Sequence, residues 1–182
     1  PTPSSAASDV YKRQGINNIL VPEEHGGLGL DLLFATAISQ SIGGAVAPLP
    51  YCGSYVMAPI AIQIGASKSQ KENIFNEMSS SNIKFGIAFS EYFGSRDSSS
   101  INFSNEKING KTIFAIDCDY ATDILVSDAS GKIGIVSIED KNIEIVDLIT
   151  VDKTRTYKEI KFSNANVEIL ENTKKNTDAI EK

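Results

Sequence analysis

The chain has no tryptophan, one histidine and two cysteines among 182 residues, and each shortage closes a class of function. His25 alone cannot build a metal cluster. Cys52 and Cys118 stand apart, with no C-x-x-C spacing, so neither a zinc site nor a disulfide framework is expected. Positive charge is also short: 17 Lys and Arg against 23 Asp and Glu leave a net charge of -6. Binding to nucleic acid needs a basic face toward the phosphates, and none is visible. No apolar run approaches the roughly 20 residues that span a bilayer. What remains is a reduced, cytoplasmic protein of one sizeable domain or two small ones.

Residues 1–14, PTPSSAASDVYKRQ, are small and polar, then basic, with no apolar stretch that would make a secretion signal. They read as an extraneous or disordered leader and are left out of the fold. The stretch that organises the rest is Val21-Pro22-Glu23-Glu24-His25-Gly26-Gly27-Leu28-Gly29-Leu30. Pro22 removes a backbone donor and breaks any regular run. Three glycines in four residues let the chain turn tightly or pass close to something flat, whether protein or ligand. Asp31 is placed to cap the helix that follows.

Residues 15–82 carry helical periodicity. Leu30, Leu33, Phe34, Ala37, Ile38 and Ile42 form one face, and Gly43-Gly44 ends it. Val56, Met57, Ile60, Ala61 and Ile64 mark a second helix, stopped by Gly65. Ser67 with Gln70 signals a capping box for a third, with Ile74, Phe75 and Met78 on its apolar side. Three short helices cover one another poorly, so the first two faces are expected to stay partly open.

After Asn82 the period falls to two. Phe85, Ile87 and Phe89 alternate with Gly86, Ala88 and Ser90, and the helical half is expected to end near Ser80. Asn109-Gly110 predicts a hairpin joining 102–108 to 111–116. Strands are also expected at 123–128, 132–138, 142–148 and 157–162. The fold class is α+β: a partial helical domain at 15–82, then an antiparallel β-barrel or sandwich at 83–172. Residues 173–182 are a polar tail.

VPEEHGGLGLD followed by AISQSIGGAVAPLPY resembles the N-terminal domain of flavin-dependent acyl-CoA dehydrogenases, and IAFSEYFGSRDSSS is similar to a loosened form of that family's flavin-binding segment. The resemblance runs from about Gly15 to Leu170. It implies FAD as cofactor, an acyl-CoA substrate, an electron-transfer flavoprotein or similar acceptor, and an oligomer. It also implies α,β-desaturation of the thioester, with a hydride passing to flavin. A flavin takes backbone donors and hydroxyls, an apolar or aromatic wall, and phosphate anchors from its protein.

By resemblance Phe89 and Ser90 touch the ring, while on the residues alone they make an ordinary strand end. Ser95, with Arg96 and Asp97, reads as a cofactor and substrate loop or as a solvated one; Tyr92 stands where the family has proline. Phe114 and Ile116 fall where the family has tryptophan and a hydroxyl residue, and on composition both are core residues. The resemblance places Phe89, Ser90, Ser95 and Phe114 in one groove facing the 23–29 turn. Asp152-Lys153-Thr154-Arg155 resembles a D-x-T-R of the family and otherwise reads as an ion-pairing turn. No carboxylate stands out as the catalytic base, which the resemblance assigns to a C-terminal helical domain; the chain then reads as a fragment, with 173–182 its tail or the start of that domain. The departures at Tyr92 and Ile116 keep a second reading, a non-catalytic partner subunit of a heteromeric acyl-CoA dehydrogenase.

Overall fold

The structure is a computed structural model that describes residues 15–47, 49–90, 101–152 and 154–174. Helix α1 (Leu32–Gly44) begins at Asp31, whose carboxylate accepts from the N–H groups of Leu33 at 2.9 Å and Phe34 at 3.2 Å. These are two of the donors that a helix start leaves without partners. A π-helical segment, Tyr51–Met57, runs directly into α2 (Ala58–Gly65), and Pro59, which has no N–H to donate to the preceding turn, stands at the junction. Helix α3 (Lys68–Ser79) opens with both bonds of the Ser67–Gln70 capping box. The helical half therefore ends where the change of period puts it.

The three helices bury unequally. Ile74, Phe75 and Met78 of α3 are buried, as are Ala58, Ala61 and Ile62 of α2. In α1 only Ala35 is buried, under Tyr51, whose hydroxyl donates to the Ala35 carbonyl at 2.6 Å. Leu33 is 75% exposed and Phe34 54% exposed. The expected open face is found on α1; on the second helical run it is reduced to half-buried Val56 and Met57 of the π-helical segment and Ile60 and Ile64 of α2.

Eight strands follow among the described residues: β1 (Phe85–Ala88), β2 (Asn102–Ser104), β3 (Lys107–Ile116), β4 (Asp123–Ser127), β5 (Ile133–Ser137), β6 (Ile143–Asp147), β7 (Tyr157–Asn166) and β8 (Glu168–Ile169). They make one sheet in the order β6-β7-β3-β1-β4-β5-β8, with β2 paired to β3. Two expectations need correction. The sheet is mostly antiparallel but does not close into a barrel, because β6 and β8 end it without pairing each other. Its centre also holds a parallel pair, with Phe85 opposite Asp123 and Ala88 opposite Val126.

The hairpin turn is also displaced. Ser104 pairs with Lys107, so the reversal lies at Asn105-Glu106, both at positive φ (49° and 58°). Two consecutive left-handed residues suit the twist of a two-residue hairpin. Asn109-Gly110 lies inside β3 instead. Opposite it the register slips, Asn164 is the extra residue on β7, and its N–H donates to the Asn109 side chain at 2.8 Å. The Asn-Gly pair marks a β-bulge rather than a turn.

β1 is buried on both sides. Phe85 and Ile87, with Phe89 beyond the strand, join Ala61, Ile62 and Phe75 in the helix-facing core. Ala88 joins Ile108, Ile124 and Ile160 in the core of the sheet's other face. The two halves of the chain thus share one packed layer, and the helices sit on the central strands.

Candidate functional site

The glycine turn packs against protein. The His25 ring lies 5.3 Å from that of Phe75, and Ser79 of α3 donates to the His25 carbonyl at 2.8 Å. Gly27 presses on the backbone of Val21 and Gly29 on Glu23, which answers the question left by composition. The turn braces α3, and Pro22, Glu23 and Gly29 line a cavity with Ile60, Gln63 and Ile64 of α2.

The flavin positions expected from the resemblance are arranged differently from one another. Phe89 is buried in the helix-facing core. Ser90 is half-buried, and its Oγ lies 2.8 Å from Oγ1 of Thr112, a fully buried hydroxyl in β3. Ile116 is half-buried and pairs with Ile87. Phe114 sits where β3 carries an extra residue against β7, between the Thr112–Ile160 and Ala115–Lys158 pairs. Its φ is 58°, and 56% of its surface is open, with the ring edge-on to Tyr157 at 6.3 Å.

Thr112 shares a face with Ile160, whereas Phe114 lies by Tyr157, the partner of Ile116 on the helix-facing side. The Ser90 hydroxyl and the Phe114 ring therefore turn to different sides of β3. The expected single groove of side chains is not formed, because the bulge upsets the alternation that would have aligned them. Ser95, Arg96 and Asp97 lie outside the described residues, as does Tyr92.

What the fold does build is a cleft of about 610 Å³ between the end of α1, the start of the π-helical segment, the end of β3 and the turn before β7. Ile42, Val46 and Leu49 give it an apolar wall, while Cys52, Asp117 and Arg155 give it a polar one. Ile116 also lines it.

Asp117, left-handed at φ 58°, accepts from the Gly53 N–H at 2.7 Å and so caps the π-helical segment. Burial pushes its carboxyl above the ordinary range, against the lowering pull of the Gly53 and Ser54 N–H groups. Burial likewise pushes the neighbouring Cys118 thiol up to about 12, with help from Asp117. Arg155 reaches Cys52 Sγ at 3.9 Å and has no carboxylate within ion-pair distance among the described residues. The D-x-T-R turn is held instead by Asp152, which accepts from the N–H of Thr154 at 2.8 Å and from its hydroxyl at 2.6 Å. Thr112, Asp117 and Cys52 have no motif around them; only the strand register and the helix start reveal them.

Below the cleft, Lys158 bridges Asp119 and Asp147. Burial alone would raise Asp119, but bonds from Lys158 and Thr156 bring it below the ordinary 3.8. Burial lowers Lys158, and its two carboxylates reverse that to leave it above 10.5. Asp119's contribution to stability is thus complete above pH 3.8 and lost as pH falls through its lowered value; that of Lys158 is complete below pH 10.5 and lost as pH rises through its raised one. Lys158→Met should cost on the order of 1 kcal/mol near neutrality, since the carboxylates are partly exposed. The difference from the parent should shrink in acid below the Asp119 transition. Urea unfolding at neutral and acid pH decides it, and an unchanged gap would remove the network from the account.

Comparison with known proteins follows the same lines. Residues 4–82 match the sequence profile described as acyl-CoA dehydrogenase, N-terminal domain, a match that takes in part of the leader. Among solved structures the chain is similar to an acyl-CoA dehydrogenase from Geobacillus kaustophilus, at 16% identity and a TM-score of 0.79, covering 97% of this chain and 52% of that one. A ChsE4–ChsE5 complex from Mycobacterium tuberculosis gives 19% identity and 0.75, covering 91% and 47%. A glutaryl-coenzyme A dehydrogenase in complex with glutaryl-CoA gives 17% and 0.73, covering 98% and 51%. No curated protein matches the chain. The chain spans about half the length of these relatives. No helix among the described residues is long and apolar enough to cross a membrane. Residues 4–82 thus carry the acyl-CoA dehydrogenase N-terminal profile, and over nearly all its length the chain shares the fold of acyl-CoA dehydrogenases.

Proposed function

We propose that the protein is an FAD-dependent acyl-CoA dehydrogenase that desaturates the α,β bond of an acyl-CoA thioester. The carrying observation is Phe114: a large aromatic ring in a left-handed conformation, mostly open to solvent, beside the cleft-lining Ile116. Backbone conformations of this cost cluster where a ligand is held, and an open ring suits the flat wall that a flavin takes. Phe114 is the residue that would form that wall; the Ser90 hydroxyl turns to the other side of β3 and Ile116 offers no donor, so the described residues fit a flavin's wall and not its set of side-chain donors. When bound, the flavin supplies the acceptor for the substrate's β hydride.

In this reading the apolar wall of Ile42, Val46 and Leu49 receives the acyl chain and keeps water from it. Neither cleft carboxylate is free to take the α proton, since Asp117 is held by backbone N–H groups and Asp119 by Lys158. The base is assigned to the part of the relatives' length that this chain does not span. An electron-transfer flavoprotein or similar acceptor would reoxidise the enzyme, which we expect to be oligomeric.

One observation favours a second reading. Ile116 is apolar where the resemblance expects a hydroxyl, which suits a non-catalytic partner subunit. Purification of the full-length protein alone separates the two. Flavin absorbance with dye-linked oxidation of acyl-CoA supports the enzyme. A colourless, inactive protein that becomes active only with a second subunit supports the partner, and one that never gains activity ends both.

A further inference from the structure

We propose that Arg155 selects an acyl group that carries its own carboxylate, binding that carboxylate while the chain lies along the cleft's apolar wall. The inference names a substrate class for the cleft already described and rests on the dehydrogenase reading.

Arg155 is a cation with unused donors. A guanidinium stays charged at any working pH and presents a planar fork of N–H groups. Here Nη2 donates to Cys52 Sγ at 3.9 Å, a weak acceptor, and no carboxylate lies within ion-pair distance among the described residues. Both nearby carboxylates are engaged elsewhere. Asp117 feels the charge of Arg155 but accepts from the Gly53 and Ser54 N–H groups. Asp119 is held by Lys158 and by the Thr156 hydroxyl. The turn that presents the side chain is tied down on both sides. The Thr154 hydroxyl donates to Asp152 and that of Thr156 to Asp119, while Arg155 itself reaches a segment 103 positions away.

The cleft's apolar wall decides what such a cation takes. Ile42, Val46 and Leu49 suit a hydrocarbon chain. A chain that was hydrocarbon throughout would strip water from the guanidinium and return no partner, and a charge desolvated in that way is costly. A carboxylate on the acyl group replaces the lost water with paired, charge-assisted bonds. Charge balance favours this source over the phosphates of coenzyme A. Arg155 is the only Lys or Arg among the described residues that line the cleft, and Asp117 and Asp119 line it too. One fork matches one carboxylate. The several phosphate charges of coenzyme A would stand in excess beside two acidic side chains.

The test is acyl-CoA binding to the full-length protein, measured by isothermal titration calorimetry. Succinyl-, glutaryl- and adipyl-CoA end in a carboxylate, and butyryl-, valeryl- and hexanoyl-CoA are their methyl-ended counterparts of the same length. At one length or more the parent should bind the carboxylate-ended ligand roughly tenfold tighter. Arg155→Gln should abolish that preference. Arg155→Lys, which keeps the charge but not the fork, should retain part of it. Thermal unfolding midpoints should stay near the parent's, since the side chain is exposed and forms no ion pair among the described residues. No preference in the parent at any length, or one that survives Arg155→Gln, would overturn the selection. Equal weakening of both ligand classes would also overturn it and assign Arg155 to the coenzyme A moiety they share. A midpoint that falls in both variants would make Arg155 a strut of its turn instead. Each of these results leaves the dehydrogenase reading standing, whereas a parent protein that binds no acyl-CoA ends that reading and this inference together.

Discussion

Gly27→Ala should destabilise the protein by about 3 kcal/mol or more, the upper end of what forced overpacking costs. A Cβ at Gly27 would stand 2.0 Å from the Val21 carbonyl oxygen and 2.5 Å from Val21 Cβ. Neither atom can move away. Val21 is fully buried, and its carbonyl accepts from the Gly29 N–H at 2.9 Å. Gly26→Ala supplies the control. It has the costlier backbone, at φ +79°, but an added Cβ would meet nothing closer than Ser79 Oγ at 3.8 Å. Its penalty should be conformational alone, about 1 kcal/mol. Urea midpoints for the two variants distinguish close approach from backbone angle as the reason for the paired glycines, and equal losses would refute the distinction.

Phe75→Ala should cost about 3–5 kcal/mol, a large share of the 5–15 kcal/mol that stabilises a typical domain. The ring is fully buried, beside His25 and in one core cluster with residues of both halves, including Ile62, Phe85, Ile87 and Leu125. Loss of helix on urea addition, followed by circular dichroism, should therefore coincide with the tyrosine fluorescence change, which no tryptophan obscures. Two separated transitions would mean that the helices and the sheet are independent units. Phe75→Leu, which keeps most of the volume, should lose far less.

How legible these features were depended on how local their causes are. Asp31 and the Ser67–Gln70 box act within one helical turn, so residue type and spacing announce them, and both bonds form as expected. Strand positions followed from period two for the same reason. Asn109-Gly110 misled because its turn-forming angles serve equally at a bulge, and the choice belonged to β7, through Asn164. The bulge at Phe114 then decided which way that ring faces, and no adjacent residue encodes it. The same holds for Ser90 and Thr112, 22 positions apart and joined only by strand register. The cleft was hidden too, since its walls come from three separated segments and its polar groups from Cys52, Asp117 and Arg155, which share no motif.

The parallel pairing of β1 with β4 has a kinetic consequence. β1 holds the helices through Phe85 and Ile87, yet its parallel partner emerges only after the hairpin and the long β3 have been laid down. Closing that loop costs entropy before its contacts repay it, and non-local pairings of this kind slow folding. The helices can coil within microseconds of the chain becoming free. The surface on which α2 and α3 pack forms only when that loop closes, so their apolar faces spend the waiting time in water, where self-association competes with folding.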